Sequence, residues 1–350
     1  MNMKTAVLTG IRQMEVREVS SPAPPSGRDV LIRMAVVGVC GSDIHYYTSG
    51  RIGSQVVQYP FAVGHEGAGI VEAVGPEVTR VKPGDRIAVE PAVSCGHCDQ
   101  CLAGRANTCR SLKFLGCPGQ MPGCLSEYLV MPENSCFPIA DGMTLTQAAL
   151  SEPLAIGVYA VRLSIPMDGA RIGILGAGPI GLSVLTAARA EGANAVYMTD
   201  RLDDRLAVAR GAGAQWAGNP DTQEVVDGIL EAEPLGLDAV FECCGQQDAL
   251  DQAVRLLKPG GKLMLVGIPE TDRVSFTIDL LRRKEICVQN VRRQNESVQA
   301  TLDGLASRAL DVDFMVTHRF PLACAREAFD LVAGYRDGVM KAMIHVSDAD

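Results

Sequence analysis

Residues 171–190, RIGILGAGPIGLSVLTAARA, determine the fold class of this sequence. Residues 171–175 predict a short buried strand, and residues 182–190 predict a helix. Between them lies the turn Gly176-Ala177-Gly178-Pro179-Ile180-Gly181, with the pattern G-x-G-x-x-G. The motif alone is weak, but a strand before it and a helix after it are typical of dinucleotide sites. There the glycines let a pyrophosphate reach the backbone N–H groups of the helix N-terminus.

A second predicted strand, residues 195–199, ends at Asp200, 19 residues after Gly181. An acid at this place accepts a hydrogen bond from the ribose 2′-hydroxyl and repels a 2′-phosphate, which indicates NAD. Arg201 follows directly, and a base there is compatible with a phosphate. Strand and helix patterns continue to alternate through residues 206–211, 239–242, 249–257 and 262–267. This succession predicts an α/β fold with a doubly wound parallel sheet.

The N-terminal part of the chain has a different character. Short β runs at residues 5–8, 14–16, 30–37 and 68–74 are separated by Gly- and Pro-rich turns, which predicts a β-rich, barrel-like unit. We expect its loops to carry Cys40 and His65, and Glu66 follows His65 directly. A thiolate, an imidazole and a carboxylate are ligand types of zinc, and three protein ligands leave the open position that a catalytic ion needs.

A cysteine-rich segment follows, with Cys95, Cys98, Cys101 and Cys109 in the pattern C-x-x-C-x-x-C and a closing fourth cysteine. Four thiolates leave no open position, so the predicted metal is structural. An iron–sulfur cluster is the competing interpretation. Zinc is favoured, because the dehydrogenase pattern that follows requires no electron-transfer centre. The sequence thus predicts two zinc ions per subunit.

Composition and charge limit the classes of partner and location that the sequence is compatible with. The chain has 350 residues, 47% hydrophobic and 21% charged, with a net charge of −9, which argues against nucleic-acid or anionic-membrane partners. The first residues lack an apolar signal-peptide region, and the longest uncharged run, residues 172–188, is interrupted by glycines. We therefore expect a cytoplasmic protein of about two domains, whose twelve cysteines serve metal binding more than disulfides.

Glu152 lies among apolar residues in a predicted helix, residues 145–163, that we expect to be interrupted at residues 151–154 by Pro153. An unpaired carboxylate there would be costly. A nearby metal or water explains it, and so does stabilisation by a helix dipole. The sequence of this segment alone does not distinguish the two explanations.

Together these residues resemble the zinc-dependent medium-chain dehydrogenase/reductase family, and within it the polyol (sorbitol-type) dehydrogenases. The resemblance spans essentially the whole chain. It is carried by residues 40–46, 50–53, 64–66, 95–109, 152–154, 176–181 and 316–321. It implies a GroES-like catalytic domain, residues 1–155 and 294–350, split by a Rossmann NAD-binding domain, residues 156–293. It also implies an active site in the cleft between the domains and a homotetramer.

The resemblance assigns a role to individual residues. It implies Cys40, His65 and Glu66 as catalytic zinc ligands, with Glu152 as a further ligand or as the holder of the zinc-bound water or substrate. Ser42 and His45 match the proton relay. The substrate contacts implied are Tyr46, Ile52, Phe114 and Arg292, and the NAD contacts are Gly176, Gly178, Pro179, Ile180, Gly181, Asp200, Arg205, Val266, Gly267 and Ile268.

We predict an NAD-dependent zinc enzyme that oxidises a secondary hydroxyl of a sorbitol- or xylitol-like polyol to a ketose. One alternative is an aldonate (L-idonate-like) 5-dehydrogenase of the same subfamily. It is suggested by Arg293, which stands where polyol enzymes usually carry Tyr and could pair with an acid. A non-catalytic zinc- and NAD-binding protein is the other alternative. It would predict loss of the open-site ligands or of Ser42, and all of these are retained.

Overall fold

A computed structural model describes residues 2–269 and 271–347 of the chain. The chain divides into two compact units. The first comprises Met1–Glu152, Val298–Ser307 and Val316–Asp350, and the second comprises Pro153–Ser297 and Arg308–Met315. The functional domain limits predicted above, at residues 155/156 and 293/294, stay a prediction. Within the described ranges, no helix is both long and apolar enough to cross a lipid bilayer.

Residues 2–138 form strands of two to ten residues and two α-helices. They are β1 (Asn2–Gly10), β2 (Gln13–Ser20), β3 (Asp29–Gly38), α1 (Gly41–Ser49), β4 (Arg51–Ile52), β5 (Gln55–Val56), β6 (Phe61–Ala62), β7 (Glu66–Val74), β8 (Arg86–Val89), β9 (Ala92–Val93), α2 (Asp99–Leu102), β10 (Lys113–Phe114), β11 (Tyr128–Pro132) and β12 (Cys136–Pro138).

The remaining elements alternate between helix and strand. They are α3 (Leu145–Leu163), β13 (Arg171–Leu175), α4 (Pro179–Ala190), β14 (Ala195–Thr199), α5 (Asp203–Gly211), β15 (Trp216–Gly218), α6 (Val225–Ala232), β16 (Leu237–Glu242), α7 (Gln247–Leu256), β17 (Leu257–Leu265), α8 (Ile278–Arg283), β18 (Cys287–Asn290), α9 (Val298–Ala306), β19 (Val316–Pro321), α10 (Ala325–Ala333) and β20 (Lys341–His345).

The first unit is built around a seven-stranded mixed sheet in the order β12-β8-β7-β3-β20-β19, with β11 also paired to β3. Val30, Ile32 and Met34 alternate along β3 into a buried core, as the period of two in a strand requires. The register places Gly38 of β3 opposite Glu66 of β7 and opposite Met343 of β20. The C-terminal strand β20 therefore reaches the same end of β3 as the His65-Glu66 pair.

The second unit contains a six-stranded parallel sheet in the order β15-β14-β13-β16-β17-β18. In chain order this is 3-2-1-4-5-6, the doubly wound arrangement in which dinucleotides bind at the carboxyl ends of the strands. The predicted fold class, a β-rich GroES-like part and a Rossmann-type parallel sheet, is confirmed.

Helix α3 corrects one prediction, because it runs without a break from Leu145 to Leu163 with Pro153 inside it. Proline removes one backbone N–H but does not end a helix whose neighbouring turns are held by packing. The residues on both sides of Pro153 are buried, among them Leu150 and Leu154. Burial of these turns outweighs the local penalty, and Glu152 consequently lies inside a regular helix.

Candidate metal centres and cofactor site

The four cysteines of the segment around α2 converge on one point. Their Sγ atoms are 3.6 Å apart for Cys98 and Cys101, and 3.9 Å apart both for Cys98 and Cys109 and for Cys95 and Cys101. A tetrahedral zinc ion with Zn–S bonds of about 2.3 Å requires an Sγ separation of about 3.8 Å. The N–H groups of Cys95 and Ser111 also point at Cys109 Sγ, at 3.3 and 3.4 Å. The site fits a structural zinc ion held by four thiolates.

A second group of metal-ligand atoms comprises Cys40, His65 and Glu66, and these atoms all lie within 4.8 Å of one another. Cys40 immediately precedes α1, His65 immediately precedes β7, and Glu66 is the first residue of β7. His65 and Glu66 are buried, whereas Cys40 is partly exposed. One thiolate, one imidazole and one carboxylate fit a zinc ion that keeps an open position.

Asp43 holds this second group together and is itself fully buried. Its carboxylate accepts the N–H groups of Cys40 at 3.3 Å and Gly64 at 3.1 Å. It also lies 3.4 Å from His65 Nδ1, which leaves Nε2 for the metal side. Burial lowers the pKa of His65, but the charges of Asp43 and Cys40 outweigh it and raise that pKa well above its ordinary value. The charges of Asp43 and Cys40 therefore favour positive charge at the position of the ring.

Ser42 and His45 are on α1, three residues apart and hence on one face of the helix. Ser42 Oγ lies 3.4 Å from Cys40 Sγ and 3.5 Å from His65 Nε2. The hydroxyl group therefore borders the predicted metal position. His45 is partly exposed, so its ring reaches water.

Glu152 is buried. It does not belong to the group formed by Cys40, His65 and Glu66, but the charges of His65 and Glu66 both affect its pKa. Burial is the main cause that raises its pKa to about 8, and Glu66 and Glu90 act in the same direction. Within the described residues, its Oε2 atom has no hydrogen-bond partner. A carboxylate is favoured at this place only when a cation or a hydrogen-bond donor is added.

Three predicted substrate residues belong to the same unit as Cys40. Tyr46 and Phe114 are buried, Ile52 is partly buried, and the Phe114 ring lies 5.3 Å from the His65 ring. The Tyr46 hydroxyl donates a hydrogen bond to Gln55 Oε1 at 3.1 Å and lies 3.8 Å from Cys117 Sγ. The fourth predicted substrate residue, Arg292, belongs to the second unit and is exposed there.

The glycine turn of the second unit has the geometry that its sequence predicts. Gly176 has a φ of 105°, and a Cβ atom at Gly181 would lie 1.9 Å from the carbonyl oxygen of Gly176. Gly178 precedes α4, whose first residue is Pro179, and Ile180 follows it. The first N–H groups of a helix lack acceptors within the helix, so the N-terminus of α4 suits a pyrophosphate.

Asp200 lies at the carboxyl end of β14, beside that turn. Its Oδ2 atom accepts the N–H of Ala177 at 2.8 Å, and its Oδ1 atom accepts the N–H of Leu202 at 3.0 Å. Arg205 on α5 lies 4.0 Å from the same carboxylate. Arg201 turns to another partner, because its Nε atom donates to Asp221 Oδ2 at 2.7 Å.

The remaining predicted cofactor residues directly follow the end of β17. The N–H groups of Val266 and Gly267 both donate to the carbonyl oxygen of Glu242 at 2.9 Å, which holds this loop against the end of β16. Ile268 follows and is about half exposed. Val266, Gly267 and Ile268 therefore lie at the carboxyl edge of the sheet, the edge that also carries Gly176 and Asp200.

Two residues at the Cys40 group had no sequence-based assignment, namely Asp43 and Lys341. Lys341 Nζ lies 2.8 and 2.7 Å from the two carboxylate oxygens of Glu66. For Lys341, the sequence signal was a charged residue inside an otherwise apolar segment. In β20 the lysine precedes Ala342, Met343 and Ile344, all of which are fully buried.

Comparison with known proteins identifies two family regions. Residues 26–141 match the alcohol dehydrogenase GroES-like domain, and residues 179–307 match the zinc-binding dehydrogenase domain. Sorbitol dehydrogenase of Bacillus subtilis is 35% identical over 346 residues, which cover 98% of this chain and 97% of that protein. L-idonate 5-dehydrogenase of Vitis vinifera is 34% identical, with 94% of this chain and 91% of that protein covered.

Solved structures are similar over the same extent. An oxidoreductase/dehydrogenase of unknown specificity from Escherichia coli superimposes with a TM-score of 0.94 at 34% identity, covering 99% of this chain and 100% of that one. A zinc-binding dehydrogenase from Sinorhizobium meliloti bound to NADP has a TM-score of 0.90 at 31% identity, with 99% of both chains covered.

Proposed function

The chain belongs to the zinc-dependent medium-chain dehydrogenase/reductase family, and on that basis we propose that it oxidises a secondary hydroxyl of a neutral polyol to a ketone with NAD. The observation that carries the proposal is the convergence of Cys40, His65 and Glu66 beside the Ser42 hydroxyl. When bound there, zinc lowers the pKa of the substrate hydroxyl and NAD accepts the hydride.

The residues of this chain would orient the substrate and move its proton. Ser42 Oγ borders the metal position and would take up the proton of the substrate hydroxyl while it releases its own hydroxyl proton toward His45, one turn further along α1, whose ring would pass a proton to water. The Oε2 atom of Glu152, which has no hydrogen-bond partner among the described residues, can hold a water molecule or a second hydroxyl of the substrate. Buried Tyr46 and Phe114 exclude water on this side.

NAD as the cofactor is supported by the environment of Asp200. Backbone N–H groups hold this carboxylate at the end of β14, where a 2′-phosphate would meet a like charge. Arg201 is paired with Asp221, so its charge is engaged elsewhere. Related structures include one bound to NADP, which makes the cofactor preference a point to be measured.

A neutral polyol is favoured over an aldonate by the resemblance of Tyr46, Ile52 and Phe114 to the substrate pocket of polyol dehydrogenases. The identity of 35% to sorbitol dehydrogenase of Bacillus subtilis supports the same class of substrate. Oxidation of an aldonate remains the second candidate, because L-idonate 5-dehydrogenase of Vitis vinifera is 34% identical and Arg292 and Arg293 are suited to a carboxylate.

The proposal is tested with zinc-loaded protein by following the absorbance of reduced cofactor with a panel of five- and six-carbon polyols. Cys40→Ser should abolish NADH formation while the protein stays folded and keeps the zinc ion of the four cysteines. No NADH formation with any polyol or aldonate by the unchanged protein would leave the non-catalytic alternative.

A further inference from the structure

Both oxygens of Glu66 are held by the ammonium group of one buried lysine. Lys341 Nζ lies 2.8 Å from Oε1, 2.7 Å from Oε2 and 3.2 Å from the carbonyl oxygen of Val39. These three acceptors use all three N–H donors of the ammonium group. Lys341 is 2% exposed and Glu66 is 1% exposed. The two side chains therefore form an ion pair that is shielded from water.

The strand register builds this pair. Lys341 is the first residue of β20, and Glu66 is the first residue of β7, which lies on the other side of β3. Gly38 at the end of β3 leaves the space that the carboxylate fills, because a Cβ atom there would lie 2.2 Å from Glu66 Oε2. The contact joins residues 275 positions apart in the chain.

Stability alone does not explain such a pair. Removing two charges from water costs several kcal/mol per ion, and apolar side chains of similar volume often stabilise a fold as well or better. The lysine also holds the single carboxylate that belongs to the Cys40, His65 and Glu66 group. A cation at this place acts on any metal that the group binds.

We propose that Lys341 is a positioning residue that keeps Glu66 a weak ligand of the metal held by Cys40 and His65. This inference rests on the proposed function, which places a zinc ion at that group. The ammonium group of Lys341 partly neutralises the charge of the Glu66 carboxylate and repels a metal cation nearby. A weakly donating Glu66 leaves more of the charge of the ion to act on a substrate oxygen.

The direction in which one substitution changes metal affinity distinguishes this role from a purely structural one. Replacing Lys341 by a neutral residue removes a repulsive charge and frees the carboxylate, so metal binding should become tighter. If the lysine served only to support the fold, its loss would loosen the ligand geometry, and metal binding would become weaker or stay unchanged.

The test uses metal-free full-length protein titrated with cobalt(II) against a competing chelator. The visible absorption of cobalt(II) distinguishes a site with one thiolate from a site with four. Lys341→Met should bind cobalt at the Cys40 site at least about tenfold more tightly than the unchanged protein, which corresponds to about 1.4 kcal/mol. Lys341→Arg keeps the charge and should stay within about threefold. The four-cysteine site should not change in either variant.

Two further variants keep the result interpretable. Lys341→Gln removes the charge but retains N–H donors for Val39 and Glu66, and it should also bind cobalt more tightly, even if the methionine variant fails to fold. Lys258→Met breaks the ion pair with Asp238 in the other unit and should leave both cobalt sites unchanged.

Weaker or unchanged cobalt binding by folded Lys341→Met or Lys341→Gln would overturn the role of the lysine. Absence of a one-thiolate cobalt site in the unchanged protein would overturn the proposed function instead, and the inference with it.

Discussion

Asp43 Oδ1 lies 3.4 Å from His65 Nδ1, and the same buried oxygen accepts the N–H of Gly64 at 3.1 Å. The carboxylate thus fixes both the ring of His65 and the loop that leads into it. Its other oxygen accepts the N–H of Cys40. One acidic side chain therefore orients two of the three predicted ligands of the catalytic ion.

Asp43→Asn should weaken metal binding at the Cys40 group by about 10- to 100-fold, the usual effect of losing a carboxylate behind a histidine ligand. The measurement is a chelator competition with zinc, read separately for the two ions. Asp279→Asn, which alters an exposed ion pair with Arg283, serves as the control and should leave both affinities unchanged. An Asp43→Asn protein with unchanged zinc affinity would show that Asp43 does not orient the ligands.

The two predicted zinc ions should differ in what their loss does. Cys109→Ser should remove one zinc ion and lower the Tm, because four thiolates close that site and its metal contributes to folding. Cys40→Ser should also remove one zinc ion, but it should abolish turnover with a much smaller change in Tm. Elemental analysis and calorimetry check both. One zinc ion, or iron, in the unchanged protein would contradict the prediction.

Asp200 should make the catalytic efficiency with NAD at least about tenfold higher than with NADP, a difference of about 1.4 kcal/mol. Asp200→Asn should reduce this ratio, because the like charge that meets a 2′-phosphate is removed. Fluorescence titration with NADH and NADPH measures the same preference without turnover. Equal efficiency with both cofactors in the unchanged protein would mean that Arg201 neutralises the acid despite its pairing with Asp221.

Glu133 should make the stability of the fold depend on pH. The N–H groups of Thr79 and Arg80, at 2.8 and 3.0 Å, and then the ion pair with Arg28 hold its pKa below the ordinary value. A carboxyl group with a lowered folded-state pKa stabilises the fold above its unfolded-state pKa of about 4.3 and loses that effect as pH falls through the folded-state value.

Glu133→Gln should therefore unfold at a lower temperature than the unchanged protein at pH 7, and the difference should shrink as the pH is lowered below about 4. Thermal unfolding across this range measures it. Glu18→Gln, at an exposed position of the same unit, is the control. A difference that stays constant or grows toward low pH would refute the assigned cause.

Much of the fold follows from local patterns in the sequence. The strand–glycine-turn–helix segment requires a parallel α/β unit, and β14 ends at Thr199, directly before Asp200. The four cysteines meet because three of them lie within seven residues. In each case, residues close in sequence determine the geometry.

Other features depend on residues far apart in the chain, and local patterns do not contain them. Lys341 reaches Glu66 only because β20 and β7 both pair with β3. Pro153 predicts an interruption of the helix, but burial of the neighbouring turns overrides it. Asp43 looked like one more polar residue of α1, and its role depends on the distant loop at Gly64.

Oxidation of a neutral polyol is tested most directly by comparing kcat/KM for five- and six-carbon polyols with kcat/KM for aldonates, using the zinc-loaded protein and NAD. A polyol should be oxidised with much higher efficiency than any aldonate, and Arg293→Tyr should change that order little. A higher efficiency with an aldonate, reversed by Arg293→Tyr, would contradict it and identify Arg292 and Arg293 as a clamp for a carboxylate.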